Sequence, residues 1–108
     1  QLSLRGCHPV FLDAKTRDGF YTGFCNGVLW PLLHYVLSLV HDHRAFDPRQ
    51  WEAYQKANAL FCDEILKVLR PGDLVWVHDF HLMLLPAMLR KRAPPGVKIG
   101  FFLHTPFP

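Results

Sequence analysis

The chain has 108 residues, half of them hydrophobic and 14% aromatic, with a formal net charge of +3. Such a composition excludes a disordered segment, which would lack the apolar residues needed for a core. It also gives no sign of nucleic-acid binding, because the one basic cluster, Arg90-Lys91-Arg92, lies at the end of a predicted helix and complements its dipole there. No apolar run approaches the roughly 20 residues that span a bilayer. Cys7, Cys25 and Cys62 are widely spaced and odd in number, which predicts reduced, mostly buried thiols in a cytoplasmic protein.

The first part of the chain predicts a strand, a loop and a helix. We expect a short strand at 8–12 (HPVFL) and a polar, glycine-containing loop at 16–23. Large apolar residues at three- and four-residue spacing predict a helix over 24–40, with a break or a first helical turn near Trp30 because Pro31 lacks a backbone N–H. His41 and His43 follow in a polar connector, where two loop histidines without a third ligand do not indicate a metal site.

The clearest predicted helix begins at Asp47. Asp47 is the expected N-cap, Pro48 suits the first helical position, and Gln50 can complete a capping box. One buried face at helical spacing comprises Trp51, Tyr54, Asn58, Phe61, Ile65 and Val68. Asn58 is the polar member of this face and requires a hydrogen-bond partner. The Arg-Pro-Gly sequence at 70–72 is expected to end the helix.

A strand, a helix and a second strand are predicted in the last part of the chain. Residues 74–77 are all apolar, which indicates a central strand of a parallel α/β sheet, covered on both faces. A helix is expected over about 84–92, with Pro86 in its first turn, and a strand over 97–103. If the two strands are parallel neighbours, Asp79 and His104 emerge at the same edge of the sheet, where ligands bind in such folds.

Polar side chains follow both strands. Asp79 can accept a hydrogen bond from a sugar hydroxyl or cap the following helix, and the sequence leaves both roles open. His104 precedes a stiff Thr-Pro-Phe-Pro loop, where it can bind a substrate oxygen, carry a proton or be a buried structural histidine. For His78 and His81 we expect hydrogen-bonding or structural roles rather than metal binding.

Two aromatic residues, Tyr21 and Trp30, flank the segment YTGFCNGVLW. Near a strand-end edge such rings form a wall for a sugar ring; elsewhere they belong to the core. The chain contains no G-x-G-x-x-G, Walker or G-x-S-x-G sequence, so these nucleotide and hydrolase signatures are absent from it.

Three strings carry a family resemblance: NGVLWPLLHY at 26–35, GDLVWVHDFHLMLLPAMLR at 72–90 and IGFFLHTPFP at 99–108. Together they closely resemble the trehalose-6-phosphate synthases, retaining glycosyltransferases that move glucose from UDP-glucose to glucose 6-phosphate. The resemblance covers essentially the whole chain. It implies an α/β protein of the GT-B type, in which residues 1–108 form part of the N-terminal, acceptor-side Rossmann-like domain, with a parallel sheet flanked by helices. The C-terminal donor domain is then absent, and we expect an internal fragment of a longer enzyme, inactive alone.

The same resemblance implies a set of site residues. Tyr21, nine residues before the motif tryptophan, contacts the glucose 6-phosphate acceptor, with Trp30 as its companion. Asp79 of the H-D-Y-H motif also binds the acceptor, and His104 of the H-x-P-F-P motif lies by the donor glucose, so Asp79 and His104 are the expected catalytic residues. No metal is implied, and no cofactor beyond UDP-glucose as donor substrate. Phe80 stands where the family commonly has tyrosine, which removes a hydroxyl and keeps the ring.

The implied partners are UDP-glucose and glucose 6-phosphate, without nucleic acid or membrane, while a homo-oligomer or a place in a trehalose synthase complex is left open. A front-side retaining transfer requires no enzymic nucleophile, so positioning and electrostatic stabilisation are the expected contributions of the protein.

The alternative is a non-catalytic, regulatory synthase-like subunit, against which the presence of all four site residues speaks. A related synthase with another sugar-phosphate acceptor is a third interpretation.

Overall fold

The computed structural model describes residues 6–36 and 46–108; His41, His43 and the end of the predicted helix at 37–40 lie outside the described residues. In chain order the elements are α1 (Ala14–Arg17), a π-helical segment (Asp18–Leu29), α2 (Trp30–Leu33), α3 (Pro48–Val68), β1 (Leu74–His78), a 3-10 turn (Phe80–Leu82), α4 (Leu85–Arg92) and β2 (Lys98–Phe102). The segment Asp18–Leu29 is called the π segment below, and Phe80–Leu82 the 80–82 turn.

A continuous helix runs through α1, the π segment and α2, and it begins earlier than the sequence predicts. Asp13 caps it, because its Oδ1 accepts the N–H of Thr16 at 2.7 Å and its Oδ2 accepts the hydroxyl at 2.9 Å. The predicted loop at 16–23 is therefore wrong, since these residues are helical. The predicted strand at 8–12 is also wrong: these residues pair with no strand of the described chain, and Phe11 is 83% exposed.

Of the two alternatives predicted near Trp30, a break and a first helical turn, the structure has the turn, because α2 begins at Trp30. In a π-helix each N–H bonds to the carbonyl five residues earlier, and the Trp30 N–H donates in this way to Cys25. Pro31 lies in the first turn of α2, where the absent N–H is tolerated. α2 ends at Leu33, and Tyr35 follows with a left-handed φ of 58°.

The bounds of α3 agree with the sequence prediction. The Asp47 carboxylate caps the helix by accepting the N–H of Arg49 at 2.9 Å. Gln50, however, packs its side chain against Gly23 instead of completing a capping box. Val68 is 53% exposed, so its assignment to the buried face is wrong; it lies in the last turn, beyond the elements that cover that face.

Two glycines allow the π segment to lie close to α3. A Cβ atom on Gly19 would stand 2.8 Å from the Cβ of Ala53, and one on Gly23 would stand 2.8 Å from the Cδ of Gln50. Both distances are shorter than ordinary carbon contacts. At Gly19 the approach requires a residue without a side chain, because the Ala53 Cβ cannot move independently of its backbone, whereas at Gly23 the flexible Gln50 side chain can be displaced.

The predicted parallel pairing of the two strands is confirmed, but the prediction that both faces of the first strand are covered is wrong. β1 and β2 pair in parallel, with Leu74 opposite Lys98, and α4 lies between them in the chain. Val77 is buried at 3% exposure, but Leu74 and Trp76 on the other face are 69% and 61% exposed. Within the described residues one face of the sheet is therefore open, although it carries the large apolar side chains of Leu74 and Trp76.

Two buried clusters hold the elements together. The first joins the π segment, α2, α3 and the 80–82 turn, and comprises Phe20, Phe24, Cys25, Leu29, Leu33, Tyr54, Ala57 and Phe80. The second joins α3, β1 and α4, and comprises Cys62, Val77, Leu85 and Leu89. Cys25 and Cys62 are buried thiols, as predicted, whereas Cys7 is exposed. In the described ranges no helix has the length and apolar character needed to cross a membrane.

Candidate active site

Asp79 and His104 meet at the carboxyl ends of the two strands. Asp79 follows β1 directly, and its N–H donates to the Phe102 carbonyl at 2.7 Å, which extends the strand pairing by one residue. The Nδ1 atom of His104 lies 3.4 Å from the Oδ2 atom of Asp79. The two side chains therefore share one edge of the sheet, as the parallel strand order predicts.

Asp79 has a backbone conformation that is normally reserved for glycine. Its φ is 70° and its ψ is 175°, a region in which other residues carry a strain of the order of 1–3 kcal/mol. Its Oδ1 accepts the N–H of Phe80 at 2.9 Å and so caps the 80–82 turn. The capping role that the sequence left open is thus present, and Oδ2 faces His104 at the edge.

Two buried side chains of α3 anchor the turn that follows β1. The hydroxyl of Tyr54 donates to the Phe80 carbonyl at 2.8 Å and accepts the Met83 N–H at 3.1 Å. The side-chain amide nitrogen of Asn58 donates to the carbonyls of Tyr54 at 2.9 Å and His81 at 3.2 Å, whereas its buried Oδ1 accepts no hydrogen bond from the described residues. Burial raises the pKa of Tyr54 to about 12, so the phenol remains a donor at neutral pH.

Tyr21 lies beside this turn, and Trp30 lies further along the same helix. The Tyr21 ring stacks on His81, with centroids 5.8 Å apart and planes 16° apart. Trp30 stacks on His34, with centroids 4.2 Å apart. Both aromatic side chains are partly open, at 50% and 44% exposure, so neither belongs to the core.

The π segment brings these two rings toward one side of the helix. Nine residues separate Tyr21 from Trp30, which is about two and a half turns of an α-helix and would place them on opposite sides. A π-helix has more residues in each turn, so nine residues come closer to two full turns. Phe20 and Leu29 have the same separation, and both are buried in the first cluster.

The other two histidines of the motif lie among aromatic rings. His78 stacks on His104 at 5.7 Å and lies against Trp76 at 4.6 Å. Burial lowers the pKa of His81, against the opposing effect of the Asp79 charge, so its imidazole is neutral at neutral pH. Within 6–36 and 46–108, no group of three or more His, Cys, Asp or Glu side chains could hold a metal ion.

Sequence reasoning places Tyr54 correctly in the core but misses its polar role. No local pattern reveals that role, because the Phe80 carbonyl is 26 positions away in the chain. Phe80 itself is 5% exposed and packs in the first cluster, so the ring that replaces the commoner tyrosine is a core residue.

The edge of the sheet thus presents a carboxylate and an imidazole, with the half-exposed Tyr21 ring beside the adjoining turn, whereas the Trp30 ring packs on His34 of its own helix. These groups can orient the hydroxyls of a polar ligand and cover the face of a sugar ring. A separate groove of about 370 Å³ lies between the first turns of α1 and α3, and its lining includes none of the residues singled out as site residues from the sequence.

The parallel strands with polar side chains at their carboxyl edge define an α/β protein of the Rossmann-like class. The model of the family described as "Glycosyltransferase family 20" matches residues 2–108. The chain belongs to glycosyltransferase family 20 and has the α/β fold of part of a GT-B glycosyltransferase.

Curated relatives and solved structures agree with this assignment. The alpha,alpha-trehalose-phosphate synthase (UDP-forming) of Yarrowia lipolytica is 52% identical over 107 residues, which cover 94% of this chain and 22% of the relative. The protein of the same name from Botryotinia fuckeliana is 53% identical over 106 residues, covering 95% of this chain and 20% of the relative. The chain therefore spans about a fifth of the length of the curated relatives it matches.

Two of the similar solved structures contain ligands. One is described as "Trehalose-6-phosphate from E. coli bound with UDP-2-fluoro glucose"; it is 43% identical, has a TM-score of 0.80, and is matched over 90% of this chain and 20% of that one. The other is an alpha,alpha-trehalose-phosphate synthase (UDP-forming) from Burkholderia xenovorans in complex with glucose-6-phosphate. It is 39% identical with a TM-score of 0.77, over 88% of this chain and 20% of that one.

Proposed function

We propose that this chain is part of a retaining glucosyltransferase that makes trehalose 6-phosphate from UDP-glucose and glucose 6-phosphate. The observation that carries the proposal is the pairing of Asp79 and His104, 3.4 Å apart at the strand ends of a family 20 chain. The names of the relatives and the two ligand complexes among the similar structures support the same reaction.

In this proposal the acceptor is bound by Tyr21, Trp30 and Asp79. The Asp79 carboxylate accepts hydrogen bonds from sugar hydroxyls, and the half-exposed Tyr21 ring lies beside the turn that follows it. His104 lies by the donor glucose and faces the Oδ2 atom of the same carboxylate. In this proposal Asp79 and His104 are the catalytic pair, with Asp79 toward the acceptor and His104 toward the donor.

The transfer itself is a front-side exchange at the anomeric carbon. The bond from that carbon to the UDP phosphate oxygen breaks, the bond to the acceptor hydroxyl forms, and the hydroxyl proton passes to the departing phosphate oxygen. The protein acts by positioning the two substrates and stabilising the charge that develops between them, so no enzymic nucleophile takes part.

We further propose that residues 1–108 form part of the N-terminal, acceptor-side domain of a longer cytoplasmic protein. The C-terminal domain that binds the donor nucleotide is then outside this chain, and the 108 residues alone are inactive.

The test is UDP release by the full-length protein, supplied with UDP-glucose and either glucose 6-phosphate or no acceptor. Acceptor-dependent release with trehalose 6-phosphate as product supports the proposal. Saturable sugar-phosphate binding without turnover would replace it with the regulatory subunit.

The site assignment is tested with two variants of the full-length protein. Asp79→Ala and Tyr21→Phe are expected to raise the KM for glucose 6-phosphate, because each removes a polar contact with the acceptor. Tyr35→Phe is the matched control, since it removes the hydroxyl of a tyrosine that is 60% exposed at the end of the same helix. Normal acceptor kinetics in both site variants would show that the residues are wrongly assigned.

A further inference from the structure

The backbone on both sides of Asp79 is held by hydrogen bonds. On its N-terminal side the strand pairing continues to its own N–H, which donates to Phe102. On its C-terminal side the next two carbonyls accept bonds from Tyr54 and Asn58, as described above. A strained conformation persists only where its surroundings determine it in this way.

From this arrangement we infer that Tyr54 and Asn58 are positioning residues: they hold the Asp79 backbone in its glycine-type conformation and thereby place the carboxylate for the acceptor. Neither residue reaches the edge of the sheet, because their exposed fractions are 1% and 0%. The inference rests on the proposed function, since it assigns these residues to the acceptor site.

The phenol of Tyr54 is suited to this task because one oxygen serves two backbone groups. It donates to the carbonyl of Phe80 and accepts the N–H of Met83, so it links the start of the 80–82 turn to the residue that follows it. If the hydroxyl is removed, a carbonyl and an N–H are left without their partner at a buried position. The turn must then shift to satisfy them, and Asp79 is released toward an ordinary φ.

Asn58 acts one residue further on. Its amide ties the His81 carbonyl to the backbone of α3 at Tyr54. His81 carries the ring on which Tyr21 stacks, so the same bond also sets the aromatic side of the proposed acceptor site. The donor side is different: His104 follows β2 and makes its recorded contacts with strand-end residues rather than with α3.

The test compares the two substrates, because Tyr54 and Asn58 support the acceptor side of the site and not the donor side. In the full-length protein, Tyr54→Phe is expected to raise the KM for glucose 6-phosphate about tenfold, the effect of one poorly satisfied hydrogen bond, and to leave the KM for UDP-glucose and the Kd for UDP unchanged. Asn58→Ser, which shortens the side chain, is expected to act in the same direction. Val97→Ala is the control, since it truncates a side chain with 3% exposure just before β2, at the opposite end of the strand from Phe102 and His104.

The outcomes separate a positioning role from a merely structural one. If Tyr54→Phe lowers the melting temperature as Val97→Ala does but leaves the acceptor KM unchanged, the inference is overturned. Equal changes in acceptor and donor parameters would overturn it as well. If Tyr54→Phe does not fold, as judged by loss of UDP binding, Asn58→Ser is tested in its place, by the same comparison of the acceptor KM with the donor parameters.

Failure of the proposed function has a different signature. It appears in the wild-type protein, as an absence of acceptor-dependent UDP release. In that event the Kd for glucose 6-phosphate, measured by calorimetry on wild type and Tyr54→Phe, takes the place of the KM, and an unchanged Kd overturns the inference.

Discussion

The backbone strain at Asp79 can be tested by comparing the stabilities of its glycine and alanine variants. The same pair of variants at Asp18 is expected to show the opposite order of stability. We compare Asp79→Gly with Asp79→Ala in the full-length protein. Both variants lose the carboxylate that caps Phe80, so the loss of the cap cancels in the comparison. What remains is the difference between a glycine and an alanine at a φ of 70° and a ψ of 175°.

The expected size of this difference follows from two opposing contributions. Relief of the backbone strain favours the glycine variant by about 1–3 kcal/mol. The greater conformational freedom of glycine in the unfolded chain opposes it by roughly 0.4–1 kcal/mol. The glycine variant is therefore expected to be the more stable of the two by about 1 to 2 kcal/mol, a net value drawn from the same two effects.

The assay is urea unfolding of both variants, in which only the order of the midpoints is needed. Asp18→Gly and Asp18→Ala form the control pair, because Asp18 has ordinary helical angles of −67° and −42°. There the alanine variant is expected to be the more stable, by about 0.5–1 kcal/mol. If the Asp79 pair follows the same order as the Asp18 pair, the backbone of Asp79 is not strained.

Two further predictions concern the first helix. Gly19→Ala is expected to lower the free energy of unfolding by about 1–3 kcal/mol, because the new Cβ meets the Cβ of Ala53 at 2.8 Å. Gly27→Ala is the control in the same urea experiment. It is expected to be neutral or stabilising, because the nearest atom to its new Cβ is 3.5 Å away. Equal losses in the two variants would argue against close packing at Gly19. Asp13 has a lowered pKa, first because of the hydrogen bond from Lys56, so its contribution is complete above the unfolded-state pKa of about 4 and is lost as the pH falls toward the folded value. Asp13→Asn is therefore expected to flatten the decline in stability between about pH 5 and pH 2, and an unchanged acid limb would contradict this.

The elements that sequence predicts well are those specified by short-range signals. Asp47 and Pro48 start α3 where the cap and the proline indicate, and the apolar runs around α4 give the two strands in the correct order. The strand order in turn predicts that Asp79 and His104 share one edge. The caps and apolar runs depend on residues a few positions apart, and the shared edge follows from the parallel order of two adjacent strands.

The errors arise where the answer depends on distant partners or on an uncommon geometry. Residues 8–12 have a strand-like composition, but a strand requires a neighbour, and the described chain provides none. A pattern at α-helical spacing does not identify the π-helical geometry of the π segment. The nine-residue separation of Tyr21 and Trp30 is nevertheless close to two turns of a π-helix. Nothing in the Asp-Phe sequence at 79–80 signals a positive φ, because the bonds that hold it come from α3.

The close contact between the π segment and α3 has a consequence for the dimensions of the binding site. Tyr21 lies between Gly19 and Gly23, and it faces a turn that is itself tied to α3. The position of the Tyr21 ring against the turn is therefore set in part by the absent methyl group of Gly19, on the opposite side of the helix. Since a displacement of about 1 Å can change a rate by a factor of 100, the proposed acceptor site depends on a residue that is not itself among the proposed ligand contacts.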